Sequence, residues 1–375
     1  MYQDLVVLMP GFLGFAHFGG FYYFADRIAA ALRAALEIEA ERAVPVIPLS
    51  AVPTGSLERR HAYLVATLAK LENVVGGFRR LHLVGHSAGG VDAFLMTQEL
   101  PFGGAESAPF RSKIRSVVTI AAPHYGTGLA TTDFAQALAN PLSHVAGLPA
   151  VGKTFLDVLR FAARDPELPP SVTGALQDWQ QSLGFLGNVL QHRELIQDLR
   201  PDRMAELQAR CKPDFEVQAK LTCFVTATAP PTRDSSQSDP LYRDLYTLTA
   251  GGVSSLVPAA KQALRVLELT PADKLIQSPG GAPVAVGPST NDGVVNAAFQ
   301  LAHPDELSEF GGLVIADHGD VIGHYPRVDP LSTFEGAAVG RRIHAGLFHS
   351  GAAFRDDQLF ELYRRVAVKI RDASE

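Results

Sequence analysis

The chain has 375 residues, 47% of them apolar and 19% charged, and a formal net charge of −6 from 39 acidic and 33 basic side chains. That composition supports a large core and excludes intrinsic disorder; the acidic balance argues against a nucleic-acid partner, and no uninterrupted apolar run reaches the roughly 18 residues of a transmembrane helix. Two cysteines, Cys211 and Cys223, exclude a disulfide-dense scaffold and a four-cysteine zinc site; they read as unpaired thiols, with one bridge as the alternative.

No basic n-region precedes the first apolar run, Leu5 to Met9, and that run is too short for a signal-peptide core. A cytoplasmic or an already processed chain is expected. Leu5-Val6-Val7-Leu8-Met9 predicts a buried strand closed by Pro10-Gly11. Asp26 to Leu36, rich in Ala, Leu and Arg, predicts a helix. Val44 to Leu49 predicts a short strand, which Pro45 and Pro48 put at a sheet edge. A helix is expected over Leu57 to Leu71, a strand over Leu81 to Val84, a helix over Val91 to Leu100 and a strand over Ser116 to Ile120. This alternation predicts an α/β protein, a mostly parallel sheet with helices on both faces.

The alternation breaks at Thr131. No strand candidate appears before about Arg210, whereas Phe155 to Arg164 and Leu176 to Leu199 read as helices. In the second, Leu176, Trp179, Leu183, Leu186 and Leu190 form one apolar stripe at helical spacing. A helical insertion in a sheet protein is therefore expected. Leu221 to Thr228 resumes the strand pattern, Ala229 to Ser236 is rich in turn residues, and mixed structure runs to about Ser289. Gly312 to Ala316 predicts the last clear strand and Asp356 to Ile370 the closing helix.

Chemistry concentrates first at Leu83-Val84-Gly85-His86-Ser87-Ala88-Gly89-Gly90. A Gly-x-Ser-x-Gly pentad is short, but here it joins a predicted strand to a predicted helix, as a nucleophile elbow requires. Its glycines permit the tight turn and the close helix–strand contact, so Ser87 is expected above the strand's end, beside the N–H groups of the next helix. A serine hydroxyl needs a base held by an acid. With the chain order of that elbow, His303, His318, His324, His344 and His349 stand late enough to be the base. His318 directly follows the strand Gly312 to Ala316, and His324 is its rival. Asp292, in Asn291-Asp292-Gly293-Val294-Val295-Asn296, is the candidate acid, and a plain turn residue is its bland reading. For an oxyanion hole, the candidates are the Ala88 N–H and the Phe12 N–H, the latter in the loop after the first strand.

Taken together, these blocks resemble the bacterial true lipases of the α/β-hydrolase fold, in their Bacillus/Geobacillus and Burkholderia/Pseudomonas branches. Val7 to Gly14 is similar to their first strand and oxyanion loop, Gly85 to Gly90 to their elbow, and Thr119-Ile120-Ala121-Ala122-Pro123-His124-Tyr125-Gly126-Thr127 to a segment of theirs. Asp198-Leu199 and Met204 to Leu207 resemble the helix leading out of the lid. Asn291 to Asn296 resembles the catalytic-acid turn, and Asp317 to Gly323 the block that carries the catalytic histidine. The resemblance implies an α/β-hydrolase core over 1–130 and 216–375, with a helical lid over 131–215. It favours Asp292 as acid and His318 over His324 as base. The implied activity is hydrolysis of carboxylic esters of acyl chains, as in triacylglycerol lipases, through a Ser–His–Asp triad and an acyl-enzyme. Polyesters, phospholipids and thioesters are alternative substrates, and a catalytically silent binding module is the non-enzymatic alternative.

No cofactor is expected for catalysis. The resemblance does imply a structural calcium ion, held by Asp320 together with the carboxylate of Asp329 and the carbonyl of Pro330. Two departures stand out. Pro10-Gly11 replaces the usual His-Gly of the oxyanion loop, and the histidine-rich zinc insertion of the Geobacillus enzymes has no counterpart, so no zinc is expected. Phe334 to Phe354 reads as an insertion. His124 and His86 read as packed rather than reactive. Gly147 to Thr154 fits the letters of a phosphate-binding loop, but it follows no strand and reads as a chance match.

Overall fold

The computed structural model describes residues 2–12, 14, 16–18, 21–40, 43–132, 194–213, 219–231, 240–251, 258–279, 284–302, 308–328, 342–345, 348 and 350–374. Seven strands form the central sheet: β1 (Tyr2–Met9), β2 (Val46–Pro48), β3 (Phe78–His86), β4 (Ile114–Ile120), β5 (Lys220–Ala227), β6 (Leu275–Ile276) and β7 (Ser308–Ile315). Their spatial order is β6-β7-β5-β4-β3-β1-β2, and every pairing is parallel. β2 is an edge strand, where Pro48 withholds no ladder donor from a second neighbour.

The helices are α1 (Asp26–Ala40), α2 (Leu57–Val74), α3 (Ala88–Leu95), α4 (Glu194–Asp198), α5 (Pro201–Arg210), α6 (Pro240–Gly251), α7 (Pro258–Glu268) and α8 (Asp356–Asp372), besides shorter turns of helix. They cover both faces of the sheet, which is why β1 reads as one unbroken apolar run rather than an alternating one. Val6 and Leu8 pack with Ile28 and Leu32 of α1 and Leu359 and Leu362 of α8. Leu5, Val7 and Met9 point the other way, against Leu64, Val65 and Leu68 of α2. Each such side chain, fully buried, contributes about 1.5–3 kcal/mol. Both cysteines are free, Cys223 in the core and Cys211 half-buried after α5. Among the described residues no helix is long and apolar enough to cross a membrane.

One expectation needs correction, and two stretches gain definite structure. The helix expected to reach Leu100 ends at Leu95, and Gln98–Leu100 instead pairs with Lys212–Pro213 as a two-stranded ribbon. The stretch expected to be mixed up to Ser289 holds two full helices, α6 and α7. Within the expected insertion Phe334 to Phe354, Arg342–Ala345 forms a strand antiparallel to Pro326–Val328. The apolar stripe from Leu176 to Leu190, the helix Phe155 to Arg164 and the segment Gly147 to Thr154 lie outside the described residues.

Candidate active site

β3 ends at His86 and α3 begins at Ala88, so Ser87 alone makes the turn. Its backbone sits at φ 56°, ψ −133°, a conformation that costs a non-glycine residue about 1–3 kcal/mol. The Ser87 N–H donates to the Ile120 carbonyl at 3.0 Å, and its carbonyl accepts from Gly90 at 2.9 Å, so the strained turn is held at both ends. Gly89 lets α3 start where it does: a Cβ there would lie 2.3 Å from the Met9 carbonyl oxygen and 2.6 Å from that of Pro10. The end of β1 therefore runs directly over the helix N-terminus.

The loop that follows carries Gly11 and Phe12. A Cβ on Gly11 would fall 2.7 Å from Ser87 Cβ and 2.4 Å from the Tyr23 hydroxyl, so this backbone reaches the serine only because the residue is glycine. Pro10 is held by its carbonyl, which accepts from Arg60 Nη2 at 2.9 Å. Arg60 is fully buried and pairs through Nε and Nη2 with Asp92 of α3, at 2.9 and 2.5 Å. Burial raises the Asp92 carboxyl even against the pull of this guanidinium. One buried ion pair thus ties the loop after β1 to α3. The half-buried Phe12 packs against the cluster that contains Ala88 and Val91, and its carbonyl accepts from Thr54.

The carboxyl end of β7 supplies the histidine. His318 Nδ1 lies 2.8 Å from Asp292 Oδ2, and the His318 N–H donates to the Asp292 carbonyl at 3.0 Å. Asp292 is wholly buried, and both of its oxygens are hydrogen-bonded. Oδ1 accepts from the Val294 and Val295 N–H groups at 2.9 and 2.7 Å, and Oδ2 from Thr226 Oγ1 at 2.5 Å and Gln300 Nε2 at 3.4 Å. Its turn is clamped on either side. Asn291 donates to the Tyr246 carbonyl, Asn296 to that of Thr249, and Gly128 donates to Asn296 Oδ1. The His318 ring stands 4.6 Å, centroid to centroid, from the ring of His86, the residue before Ser87. Among the described residues Ser87 Oγ has no hydrogen-bond partner. Hydrogen bonds of catalytic sites are often long without substrate and tighten when it binds.

It is His318 and not His324 that meets the aspartate. His324 Nε2 lies 2.9 Å from the carbonyl oxygens of both Tyr22 and Tyr23. His344 lies in the strand Arg342–Ala345, and His303 and His349 are outside the described residues. His124 is buried, with Nε2 3.1 Å from Thr119 Oγ1. Thr226, Gln300, Arg60 and Asp92 were not singled out from the sequence. Asp92 carries a signal, a charge set within the apolar helix α3; the other three carry none.

At the candidate calcium position, Asp320 is buried against Asp317. The Asp317 N–H donates to Asp320 Oδ2, and Asp317 Oδ1 accepts from Gly319 and Asp320. Asp317 Oδ2 is buried with no hydrogen-bond partner among the described residues. Burial pushes the Asp317 carboxyl up to about 6, and burial with the neighbouring Asp317 charge holds Asp320 well above the carboxylate range. Two buried oxygen donors with an unsatisfied atom fit a hard cation. Asp329 and Pro330 lie outside the described residues, and among those residues no group of three His, Cys, Asp or Glu gathers as a metal site.

At the level of sequence, no family model and no curated protein matches the chain. Solved structures do. EstA from Clostridium botulinum is 17% identical with a TM-score of 0.52, over 98% of this chain and 87% of that one. Lipase 1 from Pelosinus fermentans is 17% identical with a TM-score of 0.51, over 99% of both chains. The fold is that of the α/β hydrolases. On an α/β-hydrolase sheet, the elbow after β3 and the loops after β1, β6 and β7 share the carboxyl end of the strands, the edge where such sheets assemble their sites.

Proposed function

We propose that this α/β hydrolase cleaves carboxylic esters of acyl chains through a Ser–His–Asp triad and an acyl-enzyme. The observation that carries the reading is the hydrogen bond from His318 to the buried Asp292, made beside a serine held in a strained elbow. Ser87 Oγ attacks the ester carbonyl carbon while His318 Nε2 takes its proton. The tetrahedral oxyanion is met by the N–H groups of Phe12 and Ala88, and its collapse expels the alkoxide, which His318 protonates. Water, deprotonated by His318, then attacks the acyl-enzyme and releases the acid. Asp292 keeps Nδ1 protonated and stabilises the imidazolium. It accepts five hydrogen bonds, His318 included, which fix its side chain in place. Triacylglycerol is the substrate class we favour, with residues 131–215 acting as a lid.

Esterase assays with p-nitrophenyl butyrate and triacylglycerol panels test this reading. Hydrolysis that vanishes in both His318→Ala and Ser87→Ala supports it. Turnover retained by His318→Ala, or loss only in His324→Ala, refutes the assignment of the base. Faster turnover of phospholipid, polyester or thioester substrates would move the substrate class while keeping the triad.

Calcium belongs to the same proposal. Asp320 would hold the ion, with Asp329 and the Pro330 carbonyl, and its charge would tie down the loop that carries His318. EGTA is expected to lower the melting temperature, and Asp320→Asn to abolish that shift. An unchanged melting curve on chelation counts against the ion.

A further inference from the structure

We infer that Tyr23 is a positioning residue of this site: its hydroxyl fixes the His86 ring, and that ring sets the plane of the His318 imidazole. The inference rests on the reading of His318 as the base. Tyr23 is buried, between the loop after β1 and the start of α1, and its hydroxyl is hydrogen-bonded to His86 Nδ1 at 2.8 Å. The Tyr23 and His86 rings stand 5.7 Å apart, and Phe24 meets the Tyr23 ring edge-on at 5.3 Å. On its other side His86 faces the His318 ring at 4.6 Å, tilted by 47°. Asp292 holds His318 by an edge, through Nδ1, which leaves the ring free to swing about that bond. A neighbouring ring against its face removes this freedom.

The same residue reaches two further parts of the site. The Tyr23 hydroxyl abuts Gly11 of the oxyanion loop. The backbone around it grips the segment just beyond His318. His324 Nε2 lies 2.9 Å from the Tyr22 and Tyr23 carbonyls, the Ala25 N–H donates to the Ile322 carbonyl at 3.0 Å, and Arg27 Nη2 donates to that of Gly323 at 2.8 Å. Nucleophile elbow, oxyanion loop and base loop thus converge on one tyrosine. Burial, helped by the nearby His318 and His324 rings and opposed by a hydrogen bond to the His318 backbone, holds His86 well below the ordinary histidine range. A neutral ring there adds no second positive charge against the imidazolium formed on His318 during turnover. The Tyr23 hydroxyl, 2.8 Å from Nδ1, is the side-chain hydrogen bond that orients the ring.

The test compares wild type, Tyr23→Phe, His86→Phe and the double variant on p-nitrophenyl butyrate, with melting temperatures for all four. Tyr23→Phe removes one oxygen and keeps the ring packing. We expect it to lower kcat about tenfold with KM within about twofold, because misorientation harms the reacting geometry rather than substrate binding. Since the hydroxyl acts through His86, the double variant is expected to be no slower than His86→Phe. A wild-type kcat in Tyr23→Phe overturns the inference, as do losses that multiply in the double variant. Should His86→Phe not fold, the split between kcat and KM in Tyr23→Phe decides alone. Inactive Ser87→Ala and His318→Ala beside a fully active Tyr23→Phe would sink the role of Tyr23 and leave the triad standing. Active Ser87→Ala would sink both.

Discussion

The central sheet carries two sets of serine, histidine and aspartate. One lies beyond the carboxyl ends of the strands, Ser87, His318 and Asp292. The other lies within them: His82 Nδ1 is 2.8 Å from Ser116 Oγ and its Nε2 is 3.2 Å from Asp4 Oδ1, across β4, β3 and β1. By hydrogen bonds alone the second set is the more complete, for its serine is joined to its histidine. It nevertheless lacks what the chemistry requires. Ser116 sits inside a strand paired on both sides, beside a bulge in the β3–β4 register and not at a strand-to-helix turn, and His82 is wholly buried. Arg80 holds Asp4 through two hydrogen bonds at 2.6 and 2.9 Å, and Ser374 at the end of the chain closes over His82 and Asp4. The triad geometry is a local matter, whereas access, strain and free N–H donors come from topology, which provides them only where strands give way to loops and helices.

The sharpest way to break this contrast is to remove each serine. Ser87→Ala is expected to lower kcat about 10⁶-fold and to abolish labelling by a fluorophosphonate probe, whereas Ser116→Ala should leave kcat within about twofold. Labelling that survives in Ser87→Ala and disappears in Ser116→Ala would reverse the roles of the two sets. The two aspartates separate next. Asp292→Asn should cost about 10⁴-fold in turnover with the fold intact, because the imidazole loses its tautomer and its counter-charge. Asp4→Asn should leave turnover near wild type but lower stability by about 2 kcal/mol, since it strips the charged partner from Arg80 and His82. Urea titration and initial rates on the same preparations read both effects.

Much of the candidate site was legible because it is written locally. The run Leu83 to Gly90 announces strand, elbow and helix in eight letters, and every residue of Asn291 to Asn296 serves its turn, as the Asn291 and Asn296 clamps and the Val294 and Val295 donors illustrate. What supports the set was not legible, because its contacts span the chain. Thr226 meets Asp292 across 66 positions and Tyr23 meets His86 across 63, and a threonine in a strand or a tyrosine in an aromatic run carries no mark of such a partner. Helices α6 and α7 escaped for another reason. Each opens on a proline, Pro240 and Pro258, which punctuates a sequence as readily at a helix's first turn as in a loop. The decoy set shows the converse error: Asp4, His82 and Ser116 stand within strands, where a polar side chain reads only as an interruption.

A gentler perturbation sharpens the catalytic side. Gly11→Ala places a methyl 2.7 Å from Ser87 Cβ and 2.4 Å from the Tyr23 hydroxyl, so the oxyanion loop must retreat from the serine. A displacement on the order of 1 Å at reacting groups costs about 10²-fold in rate. We expect that loss in kcat/KM, accompanied by slower fluorophosphonate labelling. The loop is elsewhere anchored through Pro10 to Arg60, so most of the stability should survive. Unchanged labelling would mean that the loop contributes nothing at the nucleophile.

The smallest effect concerns acid and belongs to the buried set. Burial lowers His82 below its ordinary value of 6.5, while Asp4 is held below the carboxylate range by its hydrogen bonds to His82 and Arg80, which outweigh the cost of burial. Both shifts act in one direction. Below pH 6.5 the unfolded chain protonates His82 and the native chain resists, so stability falls with pH; below about 3.8 the unfolded chain also protonates Asp4, and it falls further. From pH 6.5 to 5 the histidine contribution is bounded at about 2 kcal/mol. His61, buried and pushed down to about 4 by burial and the nearby Arg111, adds a loss of the same sign, so the informative quantity is a difference between variants. In His82→Gln the decline of stability between pH 7.5 and 5 should be shallower than in wild type, and in Ser87→Ala it should match wild type. Parallel curves for wild type and His82→Gln would show that the buried histidine accepts its proton without unfolding, which the sealed geometry around Ser116 and Asp4 does not allow.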